Sequence, residues 1–100
     1  MSLEVKNINT IDDMQRFVEG CINDFEAGIS TKEETLDHLR DYTLRIMELC
    51  KHGNHFPEDL DKVTIEAERQ GFVFYNGEWR QSGFKSRSMS DMYAYIKTQL

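Results

Sequence analysis

The chain has 100 residues, of which 39% are hydrophobic, 11% aromatic and 30% charged, with six Gly and one Pro. This composition excludes a disordered or low-complexity protein and predicts one compact domain over residues 1–100. The net charge is −6, and no stretch approaches the roughly 18 apolar residues that would span a bilayer. The N-terminus also lacks the apolar run of a signal peptide, so we expect a cytoplasmic protein.

The first third of the chain predicts a short strand and then an amphipathic helix. Leu3 and Val5 alternate with polar neighbours, which would suit a third short strand over residues 3–8. A helix is expected from about Thr10 to Ala27, with Gly28 ending it. Its buried face consists of apolar residues at three- and four-residue steps: Ile11, Met14, Phe17, Val18, Cys21, Ile22 and Phe25.

The second helix begins in the segment STKEE. Thr31 and Glu34 have the spacing of a capping box, and Ser30 with Glu33 offers a second register. The short connection to the first helix favours an antiparallel α-hairpin. The buried stripe of the second helix is Leu36, Leu39, Tyr42, Thr43, Ile46, Leu49 and Cys50.

The segment CKHGNHFPED, residues 50–59, contains residue types that bind metals. A structural zinc site needs four ligands, usually in pairs from two segments, and the second pair is missing here. We therefore interpret the segment as the end of the second helix at Gly53 and the start of a third helix at Pro57. That helix would end at Gly71. Cys21 and Cys50 are expected to be buried thiols, and no metal or cofactor is predicted.

A β-hairpin is predicted at residues 72–84, followed by a C-terminal helix. Asn-Gly between two runs of β-forming residues favours a two-residue turn. In that register Phe72, Phe74 and Trp79 share the face that belongs in the core, and Val73 faces the other way with Tyr75. The predicted fold is therefore α+β and mostly helical, with an N-terminal α-hairpin, a third helix, the hairpin and a last helix.

Charge is distributed unevenly along the chain. Residues 1–71 hold 16 of the 18 acidic side chains and 8 of the 12 basic ones. One interpretation is a solvated surface, and the other is an acidic helical face that meets a basic partner. An uncovered hairpin edge could also pair with a partner or a second copy, so the chain is expected as a monomer or homodimer. The candidate partner-binding residues are Asp37, Asp41, Glu48, Val73, Tyr75 and Arg80.

The hairpin and the helix after it suggest an alternative function. Arg80, Lys85 and Arg87, with serines nearby, could contact the phosphates of a nucleic acid. The segment EWRQSGFKSR distantly resembles the hairpin-to-helix segment of the arm-type DNA-binding domains of tyrosine recombinases. The resemblance implies a nucleic-acid-binding accessory protein as the alternative and assigns no role to single residues.

Catalysis is not indicated by any motif in the chain. The sequence contains no glycine-rich phosphate loop, and its serines lack the motif of a nucleophile elbow. Adjacent carboxylates such as Asp12 and Asp13 diverge by about 100° on a helix, which suits the helix dipole better than acid–base chemistry. We therefore predict no catalytic residue, and expect an inhibitor, immunity or accessory protein of bacterial or phage type that binds another macromolecule.

Overall fold

Two long helices and a β-hairpin form most of the described structure. The computed structural model describes residues 4–53, 67–75, 77–81, 95–96 and 98. A 3₁₀ turn at Val5–Asn7 precedes helix α1, Ile11–Glu26, and helix α2, Lys32–Lys51. Strands β1, Phe72–Tyr75, and β2, Glu78–Gln81, form a two-stranded antiparallel sheet. The predicted α+β, mostly helical fold class is confirmed.

Capping boxes begin both long helices. The Thr31 hydroxyl accepts a hydrogen bond from the Glu34 N–H at 3.1 Å, and the Glu34 carboxylate accepts one from the Thr31 N–H at 3.0 Å. Thr31 is thus the N-cap of α2, and the alternative register at Ser30 is not used. Thr10 and Asp13 make the same reciprocal pair at the start of α1. Each box satisfies two backbone donors that a helix start would otherwise leave without partners.

The two helices pack against each other as the predicted α-hairpin. Phe17 and Tyr42 lie at similar distances from the connecting loop, and their rings stack with centroids 5.7 Å apart. Helix α2 ends as predicted, with His52 as the C-cap and Gly53 at φ +76°. A residue with a Cβ would be strained in that left-handed conformation.

The hairpin has the predicted register and packs on α2. Phe74 pairs with Trp79, and Tyr75 pairs with Glu78. Phe72, Phe74 and Trp79 are all buried, as their shared face predicted. The indole N–H of Trp79 donates a hydrogen bond of 2.7 Å to the hydroxyl oxygen of Thr43 in α2. This bond links the sheet to the helix.

Two expectations about the sheet are corrected. Residues 4–8 form no strand, because the N–H groups of Asn7 and Ile8 bond to carbonyls three residues earlier, at Glu4 and Val5. Val73 faces away from Phe74 and is nevertheless buried, at 4% exposure. Residues 54–66 and most of the predicted last helix lie outside the described residues. Of those two predicted helices, residues 67–71, 95–96 and 98 are described. Residues 67–69, 95–96 and 98 are helical, and Gln70 and Gly71 form a turn where the third helix was expected to end.

Both cysteines are free thiols, and the expectation that they are buried is confirmed for Cys21 alone. Cys21 is buried and Cys50 is half-buried. Burial, reinforced by the nearby Asp24 carboxylate, raises the pKa of the Cys21 thiol to about 12. Among the residues that the structure describes, no helix is both long enough and apolar enough to cross a bilayer.

Candidate functional site

One flank of α2 carries a stripe of ionisable side chains that borders the core. The stripe members recur at steps of four and three residues, so they lie within one side of the helix. They face the N-terminal segment that contains the 3₁₀ turn and line two hollows beside it. The stripe consists of Glu34, His38, Asp41, Arg45 and Glu48.

Arg45 fastens the N-terminal segment to this flank. Its Nε donates a hydrogen bond of 3.0 Å to the Ile8 carbonyl, and its Nη2 donates one of 3.0 Å to the Asn9 side-chain oxygen. Its Nη1 lies 3.2 Å from the Glu48 carboxylate. Ile8 itself is fully buried. The guanidinium therefore holds the segment in a fixed position across α2.

The first hollow is an apolar-floored groove with an acidic rim, called the acidic groove below. It has a volume of about 470 Å³. Val5, Phe17 and Ile29 supply its apolar surface, and the only ring nitrogens in its described lining belong to His38. Its described lining contains no lysine or arginine. The rim carboxylates are Glu4, Asp24, Glu34 and Asp41.

The second hollow lies on the other side of the N-terminal segment and is called the α2 hollow. It has a volume of about 430 Å³ and shares Val5 and Asp41 with the acidic groove. Its lining is mixed in charge, because Lys6 and Arg45 lie beside Asp41 and Glu48. Leu44 adds an exposed apolar side chain. The acidic character is therefore concentrated in the first hollow.

Within the described residues, Glu4 and Asp41 of the acidic groove each have a cationic neighbour. Hydrogen bonds from the Thr31 backbone and side chain, together with nearby His38, lower the pKa of Glu34. Glu4 pairs with Lys6 at 3.2 Å, and Asp41 lies 4.0 Å from Arg40. Both pairs are exposed, so each contributes little to stability and could be exchanged for a pair with a binding partner.

The predicted acidic residues take different positions around α2. Asp41 lines both hollows, and Glu48 lines the α2 hollow while it pairs with Arg45. Asp37 is exposed on the outer side of the helix, 3.8 Å from Arg40, and lines neither hollow. Asp41 is therefore the predicted residue that the structure places most centrally.

The hairpin residues lie on a different side of the molecule. Trp79 packs on Thr43, and Thr43 is about 200° around the helix from Asp41. Tyr75 is 59% exposed, and the Arg80 guanidinium lies 5.8 Å from its ring centroid and 3.5 Å from Glu78. The structure therefore does not bring the predicted acidic and hairpin residues into one surface.

Val73, and Lys85 with Arg87, cannot be assigned to a site formed by the described residues. Val73 is buried, so its side chain cannot contribute to an exposed partner-binding surface, which corrects that expectation. Lys85 and Arg87, on which the nucleic-acid alternative depends, lie outside the described residues. That alternative therefore has only Arg80 within the described structure.

Sequence reasoning missed the apolar part of the groove. Ile29 lies between Gly28 and Ser30 in the loop, outside both buried helical stripes, and is 72% exposed. The sequence signal that could have indicated this surface was a large apolar residue next to turn residues. Val5 was assigned to a strand, so its place in the groove was not foreseen.

The described residues offer no metal centre. Within residues 4–53 and the later described stretches, no three His, Cys, Asp or Glu side chains converge in a way that could hold an ion. His55, Glu58 and Asp59 lie outside the described residues. What the acidic groove offers chemically is an apolar contact surface inside a negative field.

Comparisons with known proteins add no information on function. No protein-family model, curated protein or solved structure matches this chain. The geometry and charge of the acidic groove are therefore the basis for the functional assignment.

Proposed function

We propose that this chain is a small acidic cytoplasmic interaction protein that binds a basic surface of another protein and catalyses no reaction. An inhibitor, immunity or accessory protein of bacterial or phage type has this character. The observation that carries the proposal is the acidic groove, where four carboxylates surround an apolar floor. Asp41 lies on its rim, shared with the α2 hollow, and Asp37 and Glu48 add negative charge along α2.

The groove favours binding over a merely solvated acidic surface. A solvated face needs no apolar side chain, yet Ile29 is 72% exposed beside the carboxylates. The groove also has fixed walls, because Arg45 holds the N-terminal segment and the Thr31 capping box orders the start of α2. Complementary charge would speed the encounter with a basic partner and select against acidic ones.

The proposal is tested by charge reversal with a matched control. The variant carries Asp37→Lys and Asp41→Lys, and a second variant carries Asn at both positions in case reversal disturbs folding. Glu78→Lys is the control. It makes the same acid-to-lysine change at one exposed position on the hairpin. Circular dichroism confirms that each variant is folded before binding is measured.

Affinity capture from the native cell, followed by binding of the purified partner at several salt concentrations, supplies the readout. We expect a basic partner whose association rate falls at least tenfold on reversal and declines with salt, while Glu78→Lys has little effect. Equal losses from both reversals, or no loss from either, would contradict the proposal. Retardation of DNA or RNA oligonucleotides with a steep salt dependence would instead favour the nucleic-acid alternative.

A further inference from the structure

We infer that the acidic groove receives one apolar side chain flanked by lysines or arginines, presented by a short segment of a partner protein. This inference rests on the proposed function and specifies the chemistry that the groove would recognise. It differs from a general acidic surface because it requires the apolar floor as well as the carboxylates.

The floor is suited to an apolar side chain because it is fixed from below. Phe17 contributes to the lining, yet it is only 1% exposed and its ring stacks on buried Tyr42. Val5 is positioned by the segment that Arg45 holds. Ile29 stands at the margin with most of its surface open. An incoming apolar side chain would cover Ile29 without any rearrangement of the core.

The rim determines what must accompany that side chain. Glu4 and Asp24 approach from the N-terminal segment and α1, while Glu34 and Asp41 approach from α2. Lysine and arginine can lay their aliphatic stems along apolar surface and still place the cation next to a carboxylate. A second copy of this acidic face, or a nucleic acid, would bring like charge into the groove.

The size of the groove suits a short segment of the partner. Its volume of about 470 Å³ lies within the range of about 300–1,000 Å³ that is usual for ligand sites. Three separate stretches of chain wall it: the N-terminal segment, α1 with its following loop, and α2. That space suits one anchoring side chain and its neighbours, with the rest of the partner resting on the carboxylate rim.

Synthetic peptides test the inference directly. One fluorescein-labelled peptide carries a central leucine between three arginines or lysines on each side, and its match carries asparagine at the centre. Fluorescence anisotropy with the full chain at about 0.15 M salt gives both dissociation constants. We expect the leucine peptide to bind at least tenfold more tightly, a difference of about 1.4 kcal/mol.

Variants of the chain identify the surface responsible. Ile29→Ser should abolish the preference for leucine, and it is safe for folding because the side chain is exposed. Asp41→Lys should weaken both peptides at least tenfold, and the control Glu78→Lys should weaken neither by more than twofold. Retention of the leucine preference in Ile29→Ser would overturn the inference.

The outcomes separate this inference from the proposed function. If both peptides bind equally and both depend on Asp41, the groove inference fails and the acidic interaction face stands. If neither peptide binds, the groove inference also fails, and capture of a basic partner with the Asp37 and Asp41 variants still decides the proposed function.

Discussion

The hydrogen bond between Trp79 and Thr43 makes a sharp prediction about stability. Thr43→Val keeps the shape of the side chain and removes the acceptor of the 2.7 Å bond. Both residues are buried, at 5% and 8% exposure, so the indole N–H would lose its partner without gaining water. A buried donor left unsatisfied costs about 1–3 kcal/mol. We expect a loss of about 2 kcal/mol in the free energy of unfolding, which lowers Tm by roughly 8–16 °C in a domain of this size.

Thr35→Val is the matched control for this change. Thr35 is also buried in α2, and its hydroxyl donates to the carbonyl four residues earlier, as the Thr43 hydroxyl does. The difference between the two variants therefore isolates the contact with Trp79. Urea unfolding followed by circular dichroism would measure both free energies.

A double-variant cycle completes the test. In a Trp79→Phe background the indole donor is gone, so Thr43→Val should cost about as little as Thr35→Val. Equal costs for Thr43→Val and Thr35→Val in the unaltered chain would refute the assigned bond. An unchanged cost of Thr43→Val in the Trp79→Phe background would refute it equally.

Three further predictions concern single features of the helices. Tyr42→Phe removes a fully buried hydroxyl that has no hydrogen-bond partner among the described residues. The free energy of unfolding should therefore rise by about 1 kcal/mol, and a lower value from urea unfolding would contradict this. Arg45→Met removes the bond to the Ile8 carbonyl, so hydrogen exchange should accelerate in residues 4–9 and not in the hairpin. The pKa values of Asp13 and Glu34 are lowered in the folded state, Asp13 chiefly by the Asn9 N–H and Glu34 chiefly by the Thr31 N–H. Their contribution to stability should be complete above their ordinary pKa values of 3.8 and 4.5 and decline as the pH falls below them. Carboxyl titrations followed by NMR would show ordinary pKa values for Asp13 and Glu34 if the capping boxes are absent.

Local patterns predicted the parts of the fold that depend on neighbouring residues. The Thr31 box and the pairing of Phe74 with Trp79 follow from spacings of a few residues, and both are confirmed. Residues 3–8 alternate like a strand, yet the described part of that segment forms a 3₁₀ turn fastened by Arg45, which is 37 positions from Ile8. Alternation alone could not reveal that contact.

Local sequence patterns predicted only part of the candidate site. Asp41 was chosen because it lies on the charged side of a helix, and the structure places it between two hollows. The acidic groove itself depends on three separate stretches of chain, represented by Glu4, Ile29 and Asp41. Val73 was judged from its face of the hairpin, but burial on the second face depends on tertiary packing that a register does not specify.

The position of Trp79 has a practical consequence for spectroscopy. It is the sole tryptophan of the chain, and it is shielded from water on the side of α2 remote from the acidic groove. Its emission should shift to longer wavelength when the chain unfolds and remain constant when a peptide occupies the groove. Unlabelled samples can therefore report folding during titrations without interference from the ligand.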